Sequence, residues 1–596
     1  MRQDRVIGMA GAGGDGIVAA GEALIHAAAR QGYYAVMTKS FGSQIRGGES
    51  SCRVRLSTSP VHCSGGVLDI AVALSWDDFL KFGAELPVGG ATVVVYDTAS
   101  GVLPEDVPLV GVRPAEVISA PITDLAMEAA GSERAKNTVV LGMLARWLGL
   151  EAGTLLQGIR HRLERKGLEV VAAAERAFGS GLAYAAEHPL ALAQTLTPPQ
   201  PGAPPKILAD GNTMCAAAAL FAGCRFFGGY PITPSSEIMQ VLSREIWKYG
   251  GALLQAEDEI AGVAAAVGAS FAGSKAMTAT SGPGMSLKTE ILGLASIAEL
   301  PLVIVNVQRG GPSTGMPTKS EQSDLFQAVF SAHGDVVRPV LAPTGVGDTF
   351  ATTVEAFNLA ERYQTPVIIL SDQEIAQRKE SLDRFEVADL RVEERQLPSA
   401  ADLERYARFR LTDSGVSALS HPGLEGGTYL ASGIEHLEDG SPTASGEAHL
   451  RMNEKRFRKL RPLQRRRDLF RVEGDADAPL ALLSWGSTAG ICREALELAR
   501  ADGLRAKLLI PILLFPVAEA IYREFFASVK AGLVVEQSHQ GQLYRILRMY
   551  LDLPTGIRML ARSGANPFLP AEVAGRLHEC AADLRQRTAP ALQPQE

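Results

Sequence analysis

The chain has 596 residues, 46% of them hydrophobic and 21% charged; this is ordinary globular composition and too much chain for one core, so three or four domains are expected. A formal net charge of -8 with a pI near 5.8 excludes the basic footprint of a nucleic-acid binder. The apolar runs, such as Leu302 to Val307 and Ile512 to Phe515, are strand-length, so no membrane segment is expected. The six cysteines, at 52, 63, 215, 224, 492 and 580, form no C-x-x-C pair and no metal-like group with histidine. Reduced, mostly buried thiols are therefore expected, and the chain is a poor carrier for an iron-sulfur cluster or another metal. The N-terminus enters a strand rather than a cleavable leader, which predicts a cytoplasmic protein.

In chain order, Arg5 to Ala10 predicts a strand, then come a Gly-rich turn, a helix through Leu24 and Ala28, and a strand at Tyr34 to Met37. Thr92 to Tyr96 and a helix around Asn137 to Leu148 continue the alternation, so residues 1–190 read as an α/β domain. The proline-rich stretch 191–206 can neither continue a helix nor enter a sheet interior and predicts an extended linker. A second α/β domain is expected over 207–376, with strands at Ala276 to Thr280, Leu302 to Val307 and Val367 to Leu370, apolar enough for a parallel sheet buried on both faces. Over 377–477 the alternation weakens. The run Lys455-Arg456-Phe457-Arg458-Lys459, leading to Arg465-Arg466-Arg467, predicts a connecting region with a solvated helix or, alternatively, a docking surface for an acidic partner. Residues 478–596 predict a third α/β domain, opening at Leu480 to Ser487 and continuing through Lys507 to Ile510 and Gly532 to Glu536.

Gly11-Ala12-Gly13-Gly14-Asp15-Gly16 follows a strand and opens a helix, which invites a dinucleotide site with backbone amides facing a pyrophosphate. The acidic residue that would hold a ribose is missing, because Val36, Met37, Thr38 and Lys39 stand at the end of the next strand. Gly14-Asp15-Gly16 also resembles the start of the metal-pyrophosphate motif of thiamine enzymes, but the Asn of that motif is absent nearby, the first Asn being Asn137. Tight strand-helix packing is the expected role of this turn.

The most informative stretch is Tyr230-Pro231-Ile232-Thr233-Pro234-Ser235-Ser236-Glu237. Two prolines stiffen the loop and remove two amide donors, so the Thr233 hydroxyl and neighbouring peptide groups can be aimed at a ligand. Read alone, it is equally an ordinary strand-to-helix turn with Ser235 or Ser236 as the cap. Glu259 heads a run of small and apolar residues, Ile260 to Val267, that would surround it with apolar helix and let a flat ligand approach; taken singly, a Glu there is a common helix-dipole residue. Arg309 follows a buried strand at its C-terminal edge, where open α/β sheets bind ligands, and its planar fork suits a bidentate hold on a carboxylate. The Gly-rich loop after it, through Ser313, Thr314, Thr318 and Lys319, can wrap a ligand; without that loop Arg309 reads as a surface ion-pair former.

Taken in order, residues 230–237, Glu257 to Gly262, Ser281-Gly282-Pro283-Gly284 and Arg309 to Lys319 resemble the α subunit of 2-oxoacid:ferredoxin oxidoreductases. The first domain resembles that family's γ subunit, through Gly13 to Gly16, Ser40 to Gly48 and Asn137 to Gly142, and the third is matched through Trp485 to Thr488, Glu536-Gln537 and Gly541-Gln542. The resemblance implies a fused γ-α subunit of three α/β domains: a γ-type domain, a thiamine pyrimidine-binding domain and a transketolase C-terminal-like domain. It implies that Glu259 hydrogen-bonds the cofactor's pyrimidine, with Tyr230, Pro231, Ile232, Ser281 and Gly282 beside it, and that Arg309 and Thr233 grip the 2-oxocarboxylate.

A second substrate carboxylate would need a further donor cluster to offset its desolvation, for which Ser313, Thr314, Thr318 and above all Lys319 are grouped in sequence, with Arg46 a second candidate. On this ground 2-oxoglutarate is the expected substrate, ahead of branched-chain 2-oxoacids and pyruvate. The implied reaction consumes coenzyme A, yields acyl-CoA and CO2, reduces ferredoxin, and run backwards fixes CO2. The implied partner is a β subunit that shares thiamine diphosphate and carries Mg2+ and a [4Fe-4S] cluster, in an (αβ)2 assembly. A non-oxidative thiamine-dependent decarboxylase or transferase and a nucleotide-binding regulatory protein built on the Gly-rich start are the competing readings.

Overall fold

A computed structural model describes residues 3–42, 48–564 and 566–588. They form two compact units, one of Met1–Asp210 with Gln377–Phe385 and the other of Gly211–Ala376 with Glu386–Glu596.

The first unit is built on an eight-stranded mixed sheet. Its inner strand, Asp4–Gly11, is parallel to Ile70–Ala73 and antiparallel to Ser50–Ser57. The predicted strand at Tyr34 runs on to Phe41, and the predicted helix near Asn137 is Lys136–Leu148. One face of the sheet is sealed by Ile17, Leu24 and Ala28 of the first helix and by Val139, Met143 and Leu144; each large apolar side chain so buried contributes about 1.5–3 kcal/mol. Lys379–Leu382 lies between Tyr34–Phe41 and Ile207–Asp210, antiparallel to both. Nothing in Lys-Glu-Ser-Leu marks a strand, and its partners on both sides make it one.

At the Gly-rich turn, Asp15 folds back so that its Oδ2 accepts the Ala12 amide at 2.9 Å, and its other oxygen pairs with Lys136 at 3.3 Å. A carboxylate thus already occupies an amide that a pyrophosphate would use. Asn137, distant in sequence, donates to the Gly16 carbonyl.

The second unit contains two sheets. The larger has seven strands in the order Leu513–Phe515, Val340–Leu341, Pro366–Asp372, Leu302–Gln308, Ala276–Thr280, Phe226–Gly229, Ala252–Gln255, all parallel except the first. The three predicted strands are there, and Leu302–Gln308 and Pro366–Asp372 are buried throughout, as the apolar runs require. The five-stranded sheet is parallel over Ala506–Pro511, Leu480–Ser484, Ala531–Glu536 and Gly556–Ala561, with Phe470–Gly474 added antiparallel at one edge.

Gln322 ties the two sheets together: its Nε2 donates to the Trp485 carbonyl at 2.7 Å, and its Oε1 accepts from Thr488 and from the Gln537 amide at 2.6 and 2.8 Å. Gln542 does the same from the other side, accepting from the Phe326 amide and donating to the Ser323 carbonyl, each at 2.7 Å.

The helix Gly446–Arg458 is largely exposed, as are Arg465 and Arg467, but two lysines of the basic run turn inward. Lys455 and Lys459, on and just beyond the helix Gly446–Arg458, are buried against Glu299, with Lys459 Nζ also donating to the Gln364 carbonyl at 2.8 Å. Arg456 pairs with Glu435, Arg466 with Glu355 and Asp468, and Arg467 with Glu524. Burial alone would raise the Glu299 carboxyl, but Lys455, Lys459 and Arg408 around it bring it far below the usual carboxylate range. Lys455 and Lys459 therefore form an internal clamp, because a buried carboxylate requires cations at contact distance. Among the described residues, no helix is long and apolar enough to cross a membrane.

Candidate functional site

In the seven-stranded sheet, the chain passes from Phe226–Gly229 outward to Ala252–Gln255, then crosses back to Ala276–Thr280 and on to Leu302–Gln308. The order reverses between Phe226–Gly229 and Ala276–Thr280. In an open α/β sheet the crevice for a ligand lies at such a reversal, outside the carboxyl ends of the strands. The Tyr230 to Ser235 loop leaves one of these two strands and Ser281-Gly282-Pro283-Gly284 leaves the other.

The loop after Phe226–Gly229 is held by its own atoms. Ser235 does not cap the helix Ser236–Glu245; its hydroxyl donates to the Ile232 carbonyl at 3.0 Å and its amide to the same oxygen at 2.9 Å. The capping alternative is thereby replaced by a closed turn. Asn212 secures the far end, donating to the Pro234 carbonyl at 2.8 Å and to Glu237 at 3.1 Å. Pro231 and Tyr230 are exposed, whereas Ile232 and Thr233 are partly buried.

Glu259 is the first residue of the helix Glu259–Phe271, where Asp258 takes the capping role by accepting the Ala261 amide at 2.8 Å. That leaves the Glu259 carboxyl unspent on the cap. It is buried, 8% exposed, while its neighbours Glu257, Asp258 and Ile260 face out. A Cβ on Gly262 would stand 2.8 Å from the Gly229 Cα, so glycine there lets the helix approach the strand end. A Cβ on Gly284 would meet Glu259 Oε1 at 2.8 Å, so the Ser-Gly-Pro-Gly turn leaves the space the carboxyl fills. The apolar surround expected of this helix is partial, since Ile260, Ala261 and Ala264 face outward. Lys288, fully buried on the next helix, donates from Nζ to the Glu259 carbonyl at 3.0 Å, and burial lowers its ammonium to about 8.

Arg309 is 6% exposed, and its Nη1 donates to the Thr233 carbonyl at 2.6 Å, joining the ends of Leu302–Gln308 and Phe226–Gly229 over the strand between them. Its Nε is buried with no hydrogen-bond partner among the described residues. Burial works against its charge, and Asp324 works for it. The loop after Arg309 closes on itself: the Gly310 amide donates to the Lys319 carbonyl at 2.9 Å, and the Met316 amide to the Gly310 carbonyl at 2.8 Å. Ser313 and Thr314 stand exposed on this loop, and Thr318 and Lys319 are partly buried where it returns. Glu321 accepts the Gly311 amide at 3.2 Å and is pushed up by burial.

Sequence reasoning therefore has Thr233, Glu259, Ser281, Gly282 and Arg309 at one edge of one sheet, with the Ser313 to Lys319 loop rooted there. Arg46 lies outside the described residues. Asp324, Lys288 and Gln322 were missed: Asp324 reads as a helix cap before Leu325 and Phe326, and a single Lys or Gln in a helix or loop carries no signal.

Two observations test the residues against thiamine diphosphate. Gly284 leaves room for the Glu259 carboxyl, Gly262 lets its helix close on Gly229 and Gly282 leaves room for Asp324, and the Ser281 hydroxyl and Arg309 Nε are buried polar atoms with no hydrogen-bond partner among the described residues. A carboxyl, a hydroxyl and a small-residue cradle fit an aminopyrimidine. Among the described residues no group of three or more His, Cys, Asp or Glu is gathered for a metal, and all six cysteines are buried thiols outside any disulfide. Burial pushes Cys52, Cys215, Cys224 and Cys492 up to about 12.

Residues 217–455 match the family described as pyruvate flavodoxin/ferredoxin oxidoreductase, thiamine diphosphate-binding, and residues 6–184 match pyruvate ferredoxin/flavodoxin oxidoreductase. The chain is 32% identical to the 2-oxoglutarate oxidoreductase subunit KorA of Mycobacterium tuberculosis over 626 residues, covering 97% of this chain and 93% of that one. It is 37% identical to the 2-oxoglutarate synthase subunit KorA of Methanothermobacter thermautotrophicus over 61% of this chain and 96% of the relative. Among solved structures, a 2-oxoglutarate:ferredoxin oxidoreductase from Magnetococcus marinus, with 2-oxoglutarate, coenzyme A and succinyl-CoA bound, superposes with a TM-score of 0.91 at 36% identity, over 97% of this chain and 100% of that one. Crevice, motifs and full-length similarity converge: the chain belongs to the 2-oxoacid:ferredoxin oxidoreductases, as a KorA-type subunit.

Proposed function

We propose that this chain is the fused γ-α subunit of an enzyme that converts 2-oxoglutarate, coenzyme A and two oxidised ferredoxins to succinyl-CoA, CO2, two reduced ferredoxins and a proton. The observation that carries the reading is the edge on which Glu259 and the Arg309-Thr233 pair meet at the reversal of strand order. Thiamine diphosphate, when bound, supplies a carbon nucleophile and an electron sink for the oxoacid carbonyl carbon.

Glu259 holds and moves a proton at its carboxyl toward the pyrimidine nitrogen, a task for which a desolvated carboxyl not committed to a cap is suited. Tyr230, Pro231, Ile232, Ser281 and Gly282 line the pyrimidine. Arg309, prealigned by Thr233, binds the C1 carboxylate; the Thr233 hydroxyl adds a donor. Ser313, Thr314, Thr318 and Lys319 receive the distal carboxylate, with Arg46 as a further donor. The fused γ-type, pyrimidine-binding and C-terminal domains, over 1–190, 207–376 and 478–596, work with a β subunit that carries Mg2+, the diphosphate site and a [4Fe-4S] cluster, in a cytoplasmic (αβ)2 complex.

Co-expression with the natural β subunit and assay of 2-oxoglutarate, 2-oxobutyrate, branched-chain 2-oxoacids and pyruvate with coenzyme A and a one-electron acceptor tests this. Preference for 2-oxoglutarate supports the reading; a higher kcat/KM on a monocarboxylic oxoacid transfers it to that substrate, and CoA-independent turnover removes it.

A further inference from the structure

Asp324 precedes the short helix Leu325–Phe330 in the capping position, where an Asp ordinarily accepts an amide of its own first turn. It makes no such bond. Its Oδ2 accepts instead from Asn306 Nδ2 at 3.1 Å, at the end of Leu302–Gln308, and lies 2.8 Å from where a Cβ on Gly282 would be. Its amide donates to Gln308 Oε1 at 3.0 Å, and Gln327 of the following helix donates to the Gly282 carbonyl at 3.4 Å. The carboxyl is thus pinned over the Ser-Gly-Pro-Gly turn, in the crevice, at the expense of a cap. A residue that gives up its local structural use while its partners fix it elsewhere marks a functional constraint.

We propose that Asp324 is a positioning residue of the oxoacid site, which takes up a proton from solvent when an anionic 2-oxoacid binds against Arg309. The inference rests on the reading of Arg309 as the carboxylate-binding group. Two charged groups act on the Asp324 carboxyl: Glu321 on its own segment, which disfavours its charge, and Arg309, which favours it; Asn306 favours the charge by its hydrogen bond, and the turn at Gly282 presents backbone. Burial is the largest influence and brings the group to about 6. A substrate carboxylate engages the guanidinium that supports the Asp324 charge and adds a second anion beside it, so the proton-bound form is favoured in the complex. By linkage, above pH 6 the dissociation constant rises about tenfold per pH unit until the bound-state carboxyl also ionises.

The test uses the assembled enzyme loaded with the C2-oxo, thiazolone analogue of the cofactor, which cannot attack the substrate. Calorimetric titration with 2-oxoglutarate in phosphate and in Tris, from pH 6 to pH 8.5, measures affinity and linked protons together. Wild type is expected to take up a proton and to bind less tightly as pH rises. Asp324→Asn keeps the shape and an acceptor for Asn306, and is expected to lose most of the uptake and to bind roughly tenfold or more tightly than wild type at pH 8. Asp324→Ser serves the same purpose if the Asn variant fails to assemble. No uptake in wild type, or the same uptake and slope in the uncharged variants, overturns the proposal. Arg309→Met separates it from the reading beneath: loss of binding there upholds Arg309 as the anion site whatever Asp324 does, and unchanged binding overturns both.

Discussion

Arg309 donates from Nη1 to the Thr233 carbonyl at 2.6 Å, across 76 positions of sequence, and so locks the proline loop to the far side of the crevice. One side chain therefore both presents a cation and sets the geometry of the loop facing it. Arg309→Met is expected to lower kcat/KM for 2-oxoglutarate, 2-oxobutyrate and pyruvate alike, by about 2–5 kcal/mol, because every 2-oxoacid presents the same C1 carboxylate. Hydrogen exchange over Tyr230 to Ser235 should quicken in the same variant. Losses confined to 2-oxoglutarate would move Arg309 to the distal carboxylate.

Glu259→Gln should leave folding and assembly intact and lower kcat on the order of 100-fold or more, since the amide cannot exchange the proton. Gly284→Ala approaches the same carboxyl from another side: its Cβ would collide with Thr280 Oγ1 and stand 2.8 Å from Glu259 Oε1, so both side chains must move. The Ala variant is expected to lower kcat with the Glu still in place, and normal turnover in both variants would remove Glu259 from the reaction.

Lys319→Met should raise KM for 2-oxoglutarate and spare 2-oxobutyrate and pyruvate, with a discrimination of about 2–5 kcal/mol if the distal charge is well desolvated. Steady-state kinetics of the assembled enzyme on the three acids decide it. Equal losses on all three place specificity outside this loop and make Arg46 the next residue to change.

Glu299 is a stability residue with a defined pH signature. Its carboxyl lies far below the usual range in the folded protein, so its contribution is full above the unfolded value of about 4.3, declines by about 1.4 kcal/mol per pH unit beneath it, and is gone only when pH passes the much lower folded value. Glu299→Gln leaves Lys455 and Lys459 buried without their counter-charge and is expected to cost about 3–5 kcal/mol near pH 7. Urea midpoints from pH 7 down to pH 3.5 should show the gap between wild type and variant constant down to about pH 4.5 and then narrowing by about 1 kcal/mol. A gap independent of pH would mean that packing, not charge, holds the helix Gly446–Arg458 in place.

The purified chain without its partner is expected to show no iron-sulfur absorbance and no oxoacid-dependent electron transfer, because its six cysteines are buried and, among the described residues, no three ligating side chains gather for a metal. Stoichiometric iron and acid-labile sulfide in the isolated chain would refute this.

Much of the site was legible in the sequence because its parts are local. The prolines around Ile232-Thr233, the Ser-Gly-Pro-Gly turn and the apolar strands Ala276–Thr280 and Leu302–Gln308 each announce themselves over a few residues by backbone restriction or burial pattern. Three-dimensional packing decided what short-range pattern leaves open. Lys455 and Lys459 look like a solvated run until Glu299, over 150 positions away, arrives as their counter-charge, since a charge run has the same sequence whether water or a buried carboxylate neutralises it. Lys-Glu-Ser-Leu at 379–382 becomes a strand only through partners at Tyr34–Phe41 and Ile207–Asp210. Asp324 reads as a cap, and the parallel pairing of Ala276–Thr280 with Leu302–Gln308 brings Gly282 and Asn306 together at its carboxyl. Periodicity, proline and glycine act over one or two turns of chain and so determined the elements and their loops; desolvated charge has meaning only against its final neighbours, and the tertiary structure decided which ionisable groups are clamp, cap or chemistry.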